Sequence, residues 1–201
     1  MNKLQMFLKA VYAGFMIGIG GIVYLSVENR VAGSMLFSFG LLTIVTQGFF
    51  LYTGKVGFAR TGKALLDMPL IVAGNYVGTF VAAMLARGGG LAISTGNLVM
   101  GKLDKSMGCV FVLSVFCGVL MYLAIDNYNK TKNIVFIIAP VMIFILSGFE
   151  HSIANMFYFH LAGVYHGKAL VWLLVMVVGN GVGAWVFGMN KGDCVPGNSR
   201  I

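Results

Sequence analysis

The sequence predicts an all-α membrane protein with six transmembrane helices, arranged as two inverted three-helix repeats in which the second and fifth helices are broken. Composition, charge spacing and a weak internal similarity predict this fold. Hydrophobic residues make up 59% of the 201 residues and charged residues 10%, with a mean hydropathy of +0.89. Soluble domains carry about 25% charged residues. A soluble chain of this length could not bury so much apolar surface in one core.

Runs with few charges define the six spans. Crossing a hydrocarbon core of about 30 Å takes about 20 helical residues. The predicted spans cover residues 10–27, 31–54, 68–86, 106–125, 134–159 and 169–190. The fifth run is a span only if Glu150 and His151 are accepted inside it. The loops are too short to form a soluble domain, so we expect a single transmembrane domain over residues 1–201.

The distribution of lysine and arginine predicts the orientation. With both termini on one side, that side carries Lys3, Lys9, Lys55, Arg60, Lys63, Lys130, Lys132, Lys191 and Arg200. The other side carries Arg30, Arg87, Lys102, Lys105 and Lys168. Because cytoplasmic loops hold the excess of cations, we expect cytoplasmic termini and an uncleaved first helix. The net charge of +8 then reflects topology. No long basic run exists, so no nucleic-acid partner is expected.

A weak internal similarity predicts the repeats. Residues 74–78 (GNYVG) of the third span match residues 179–183 (GNGVG) of the sixth, and Gly48-Phe49 matches Gly148-Phe149. With three spans in each repeat, the second half must be inverted relative to the first. The predicted bounds are about 8–87 for repeat one, about 103–190 for repeat two, and 191–201 for a short cytoplasmic tail.

Small and polar residues within the spans predict how the helices meet. Glycines at spacing four, as in Gly14-Gly18, let helix backbones approach closely. We expect Asn75 and Asn180 to form hydrogen bonds with backbone groups across the bundle. Gly48 and Gly148 indicate interruptions at mid-membrane depth, where non-helical backbone must be buried in protein or line a cavity. Matching broken helices point to a solute site that favours anions.

The segment 147–157, SGFEHSIANMF, places Glu150 and His151 inside the fifth span. Such groups cost roughly 2.5–3.5 kcal/mol each at bilayer depth, so they face partners or a water-lined path. We favour the permeation path for His151 and a helix–helix contact for Glu150. Neighbouring side chains on a helix point about 100° apart, which does not suit a shared catalytic site. No motif for a metal, nucleotide or catalytic nucleophile is present, so we expect neither enzyme activity nor a cofactor.

These residues identify the chain as resembling the formate/nitrite transporter family, which includes hydrosulfide channels. The resemblance covers nearly all six spans and rests on SGFEHSIANMF, Leu51-Tyr52-Thr53-Gly54, Ala139-Pro140-Val141 and the two Gly-Asn-x-x-Gly segments. It implies an aquaporin-like protomer in a homopentamer, with one pore in each subunit. It also implies a bacterial inner-membrane location among lipids and a small monovalent anion such as formate, nitrite or hydrosulfide as substrate.

The resemblance also implies roles for individual side chains. The pore histidine falls on His151, and the loop whose threonine faces it falls on Leu51, Tyr52 and Thr53. The narrow apolar slits fall on Phe37, Leu41 and Phe144. Asn155 is a further pore residue, and Glu150 and Lys102 form a supporting buried pair. His160 and His166, after the motif, are expected to be boundary residues rather than pore groups.

Two mechanisms remain open at this stage. His151, which titrates near about pH 6.5 when unperturbed, either donates a hydrogen bond to the anion or passes it a proton. We expect Thr53 on a non-helical turn, with Gly48 and Gly54 supplying backbone freedom. The alternative function is an aquaporin-like channel for small neutral solutes. The Asn-Pro-Ala pair of such channels is absent, because Met156 follows Asn155.

Overall fold

The computed structural model describes residues 1–91, 93 and 95–189, and the regular structure in that part of the chain is entirely helical. The helices are α1 (Lys3–Ser26), α2 (Arg30–Thr46), α3 (Tyr52–Lys55), α4 (Gly62–Gly88), α5 (Gly96–Leu103), α6 (Met107–Thr131), α7 (Val135–Leu146), α8 (Ser152–Ala162) and α9 (Gly167–Met189). A short 3₁₀ helix, Val56–Phe58, follows α3. The predicted cytoplasmic tail 191–201 lies outside the described residues.

Four helices, α1, α4, α6 and α9, are long and apolar enough to cross a membrane. They fall on the first, third, fourth and sixth predicted spans. The apolar helices α2 and α7 are shorter, and each is followed by a non-helical stretch and a further helix.

Capping side chains fix where two of the long helices begin: Asn2 forms a capping box with Gln5 at α1, and Ser106 accepts from the Cys109 N–H at α6. Such caps satisfy backbone N–H groups that would otherwise lack a partner.

Two glycines with positive φ lie where α2 and α7 end. Gly48 has a φ of +64° and Gly148 a φ of +71°. A Cβ destabilises this left-handed conformation by roughly 1–2 kcal/mol, so glycine suits both positions. The predicted interruption points therefore coincide with real helix ends.

The structure corrects the prediction for Thr53. This residue lies in the first turn of α3 rather than on a non-helical turn. The helix restarts at Tyr52 because the Asn75 side chain accepts the Tyr52 N–H at 2.9 Å. Gly54 lies within the same helix and has no positive φ. Its predicted conformational freedom is therefore not used.

Backbones meet closely at the predicted small residues. A Cβ added to Gly14 of α1 would lie 2.1 Å from the carbonyl oxygen of Asn75 in α4, so the two helix backbones are in close contact there. On α6 and α9, a Cβ on Gly118 would lie 2.2 Å from the carbonyl oxygen of Asn180. Only glycine permits these approaches, so the predicted close packing of small residues is confirmed.

The two asparagines hold the interrupted segments in matching ways. The Asn75 amide donates to the carbonyls of Ala10 and Phe50, each at 2.8 Å. The Asn180 amide donates to the carbonyls of Ser114 and Glu150, also at 2.8 Å, and its oxygen accepts the Ser152 N–H at 2.8 Å. Each side chain thus joins a long helix to an interrupted segment and satisfies backbone groups left free in that segment. The prediction that these residues bond to backbone groups is confirmed.

Candidate functional site

His151 is the N-cap residue of α8 and is 2% exposed. Its Nδ1 accepts the backbone N–H of Ala154 at 3.1 Å. An imidazole nitrogen that accepts carries no proton, so the neutral ring bears its proton on Nε2. Nε2 lies 3.0 Å from Oγ1 of Thr53. The fold therefore directs an N–H donor at the threonine.

Thr53 receives this donor on a buried side chain. Among residues 1–91, 93 and 95–189, its hydroxyl has no partner besides His151. When the oxygen accepts from Nε2, the hydroxyl proton is available to a further acceptor. The two side chains come from α3 and from the start of α8. They meet because both helices begin beside an Asn-braced interruption.

Aromatic rings cover one face of the imidazole. The Phe144 ring stacks on His151 with ring centroids 5.3 Å apart and an angle of 25°. Phe37 meets Phe144 edge-on, with centroids 6.1 Å apart. Leu41 and Leu51 are also buried. The structure thus brings Phe37, Phe144 and His151 together, as the resemblance implies.

The Glu150 carboxylate, which is 0% exposed, lies in a network of three donors. Its Oε2 accepts from Lys102 Nζ at 2.6 Å and from Asn155 Nδ2 at 2.9 Å. Its Oε1 accepts from Lys105 Nζ at 2.5 Å. The expected partners Glu150 and Lys102 lie together, and Lys105 is a partner that the sequence reasoning missed. Lys105 follows the end of α5, between α5 and α6, and no signal in the local sequence directs it at Glu150.

Two of the candidate pore residues direct their donors at protein groups. The Asn155 amide donates to Glu150 and to the His151 carbonyl, each at 2.9 Å. The Tyr52 hydroxyl donates to the Val177 carbonyl at 2.9 Å. These contacts tie Asn155 and Tyr52 to neighbouring protein groups, whereas the side chains of His151 and Thr53 contact each other.

A cavity of about 260 Å³, lined in part by α5, reaches His151, and we call it the α5 cavity. His151, Phe144 and Asn155 lie at its buried end, whereas Arg30 and Asn97 are exposed. The cations on its wall are Arg30, Lys102 and Lys105. Within the described part of the chain, no group of three or more His, Cys, Asp or Glu side chains could hold a metal ion.

His160 lies in the last turn of α8 and is not among the residues that line the α5 cavity. Its side chain is 1% exposed and packs between α8 and α4, with its ring centroid 4.4 Å from that of Tyr76. The polar side chain is buried because Tyr76, Phe80 and Tyr165 surround it with aromatic rings. His166, in contrast, is exposed as expected.

The fold and apolar helices define a multi-pass membrane protein. The sequence profile of the formate/nitrite transporter family matches residues 1–190. The chain therefore belongs to the formate/nitrite transporter family.

The relatives and related structures are consistent with this assignment. The chain is 26% identical to the formate channel FocB of Escherichia coli, with 78% of this chain and 66% of that protein covered. It therefore spans just under two thirds of FocB. It is 28% identical to the nitrite transporter NirC of Salmonella typhimurium, with 92% of this chain and 83% of that protein covered.

Two solved structures share the fold. One is described as an FNT family ion channel, with a TM-score of 0.85 and 24% identity over 94% of this chain and 89% of that chain. The other is a pentameric formate channel with formate bound, with a TM-score of 0.83 and 22% identity over 92% of this chain and 94% of that chain.

Proposed function

We propose that this protein is a channel or transporter for small monovalent weak-acid anions, with formate, nitrite and hydrosulfide as candidate substrates. The observation that carries the proposal is the contact between Thr53 Oγ1 and Nε2 of His151, the residue at the buried end of the α5 cavity. The relatives named formate channel and nitrite transporter support the same class of function. They do not favour a channel for neutral solutes.

The physical task of such a channel is to offer donors to an anion that has lost water. A carboxylate or nitrite without compensating hydrogen bonds is very unfavourable in an apolar constriction. The rings of Phe37 and Phe144 and the side chain of Leu41 provide no donor. The Thr53 hydroxyl does, and its oxygen is polarised by the His151 N–H. Linked hydrogen bonds strengthen one another in a low-dielectric site.

The hydrogen-bond arrangement favours donation over proton transfer. Nδ1 of His151 accepts the Ala154 N–H in the first turn of α8. A second ring proton would have to displace that bond and leave a helix N–H unpaired, at a cost of about 1–3 kcal/mol. His151 therefore acts as a fixed donor that orients Thr53, and the anion crosses without taking a proton from the ring.

The same proposal includes the architecture. Six spans would form two inverted, aquaporin-like repeats, with α2–α3 and α7–α8 as the broken second and fifth spans. The equivalent bonds of Asn75 and Asn180 and the positive φ of Gly48 and Gly148 support the repeat. The pentameric formate channel of similar fold supports a homopentamer. We place it in a bacterial inner membrane with cytoplasmic termini.

Uptake into proteoliposomes tests the function. We expect the purified protein to conduct formate, nitrite or hydrosulfide, and Thr53→Val to lower that flux about tenfold or more. Valine keeps the volume of the side chain but removes a hydrogen bond to a charged group, worth about 1.5–3 kcal/mol. The matched control Thr53→Ser keeps the hydroxyl and should retain most of the flux. If the protein conducts water or glycerol but none of these three anions, the proposal is wrong.

A further inference from the structure

The three cations on the wall of the α5 cavity differ in whether they have partners. Lys102 and Lys105 each donate to an oxygen of the same carboxylate, Glu150. Arg30, at the first position of α2, lines the cavity as well. Within residues 1–91, 93 and 95–189, its guanidinium forms no ion pair and donates no hydrogen bond. Arg30 is therefore the cation of this cavity that is free to bind a ligand.

Arg30 also lies at the end of the cavity that an entering solute meets first. Its side chain is exposed, whereas His151 at the other end is buried. Asn97 and Tyr24 line the cavity too and bring an amide and a phenol that can donate hydrogen bonds. An anion that enters would thus meet one unpaired charge with further donors nearby, before it reaches Phe144.

The shape of guanidinium determines which anions benefit most. Its parallel N–H groups match an anion with two oxygens in one plane and bind it in a bidentate way. Ammonium acts as a point charge and offers no such match. Formate and nitrite each present two oxygens on one atom, whereas hydrosulfide presents a single sulfur. Guanidinium therefore favours the two oxyanions.

We propose that Arg30 captures the permeating anion at the mouth of the α5 cavity and selects formate and nitrite over hydrosulfide. This inference rests on the proposed anion flux and narrows the preferred substrates to the two oxyanions. It assigns the first selective step to Arg30, before the contact with Thr53 and His151.

The flux experiment compares Arg30→Lys with the parent protein. The substitution keeps the charge and removes the parallel N–H groups of the guanidinium. We therefore expect the half-saturating concentrations of formate and nitrite for flux to rise about three- to tenfold, the range for a lost hydrogen bond. That of hydrosulfide should change less than about twofold. The matched control is Arg87→Lys, because Arg87 is also exposed but does not line the cavity. It should leave all three values unchanged. An equal change for all three anions, or no change, overturns the inference.

A binding measurement separates this inference from the proposed function. Phenylglyoxal modifies exposed arginines, and mass spectrometry reports the extent at Arg30 and Arg87. Formate or nitrite should slow the modification of Arg30 at least about threefold and leave Arg87 unaffected, whereas an equal concentration of chloride should not protect Arg30. If the parent protein conducts none of the three anions, the proposed function fails, yet protection of Arg30 still supports the binding site. If formate and nitrite protect Arg30 no more than chloride does, or protect Arg30 and Arg87 equally, the inference is overturned.

Discussion

The two ring nitrogens of His151 have separate tasks, and substitutions can separate them. Nδ1 caps α8 by accepting the Ala154 N–H, whereas Nε2 approaches Thr53. Asparagine is among the best N-cap residues, so it can replace the first contact, although it is too short for the second. Phenylalanine replaces neither. The residue therefore has a structural role and a proposed transport role that need not fail together.

We expect His151→Asn and His151→Phe both to lower anion flux about 10- to 100-fold, because each removes the donor that orients Thr53. Only His151→Phe should also lower stability, by about 1 kcal/mol, through the lost cap. Proteoliposome uptake and thermal melting of the purified assembly measure the two effects. Parent-like flux through a folded His151→Asn variant would contradict the site assignment.

The Glu150 carboxylate pairs with two lysines, so removing it should affect stability more than removing either lysine. We expect Glu150→Ala to destabilise the protein by about 3–5 kcal/mol, because it leaves buried cations without a partner. Lys102→Ala or Lys105→Ala alone leaves the carboxylate with one ammonium and should be milder. Lys102→Ala combined with Lys105→Ala should destabilise more than the sum of the single changes. Thermal melting of the four variants measures this.

Glu150→Gln is the control for that series, since it keeps the shape of the side chain and removes the charge. If Glu150→Ala is as stable as the parent and the double lysine variant is additive, the buried network contributes no stability. In that case the three charges would have to be solvated in the membrane-embedded protein.

At the scale of helices, the two interruptions depend on backbone conformation rather than on crowding. A Cβ on Gly148 would meet nothing within 4 Å, and one on Gly48 would meet only Lys9 Nζ at 4.0 Å. Their positive φ values, and not a lack of space for a side chain, are therefore the reason that glycine is favoured at both positions. Gly54 lies in helix α3, and its added Cβ would make an ordinary contact at 3.5 Å with Ile125.

We therefore expect Gly48→Ala and Gly148→Ala each to destabilise the protein by about 1–2 kcal/mol. Gly54→Ala should be neutral or stabilise by up to about 1 kcal/mol, because alanine favours a helix. Thermal melting of the three variants separates these outcomes. A destabilised Gly54→Ala beside a neutral Gly148→Ala would mean that the turns lie elsewhere in the membrane-embedded protein.

For the whole molecule, the sequence predicted the large features well because they depend on simple patterns. Uncharged runs located the four long helices, and glycines beside polar residues located the ends of α2 and α7. The environments of single side chains were harder to predict. Lys105 was counted as a loop cation because nothing in the local sequence directs it at Glu150, 45 residues later. The ring contacts of His160 could not be predicted, since Tyr76 and Phe80 of α4 reach it only in the folded chain.

The inverted repeat makes a further prediction about sidedness. Lys63 and Lys168 lie in the first turns of α4 and α9, which the proposed repeat makes equivalent third spans, and both are exposed. If three spans make up each repeat, these two helices begin on opposite sides of the membrane. With the cytoplasmic termini that we propose from the excess of cations, Lys63 would lie in the cytoplasm.

Lys63→Cys and Lys168→Cys, each in a background whose three native cysteines are replaced, test this with an impermeant maleimide. We expect Lys168→Cys to react in intact spheroplasts and Lys63→Cys to react only after the membrane is permeabilised. Detergent-solubilised protein is the control, since both sites should then react alike. Reaction of both from one side would rule out the inverted repeat. A swapped pattern would keep the repeat and reverse only the orientation, which would mean that the bias of nine cations against five does not determine the topology here.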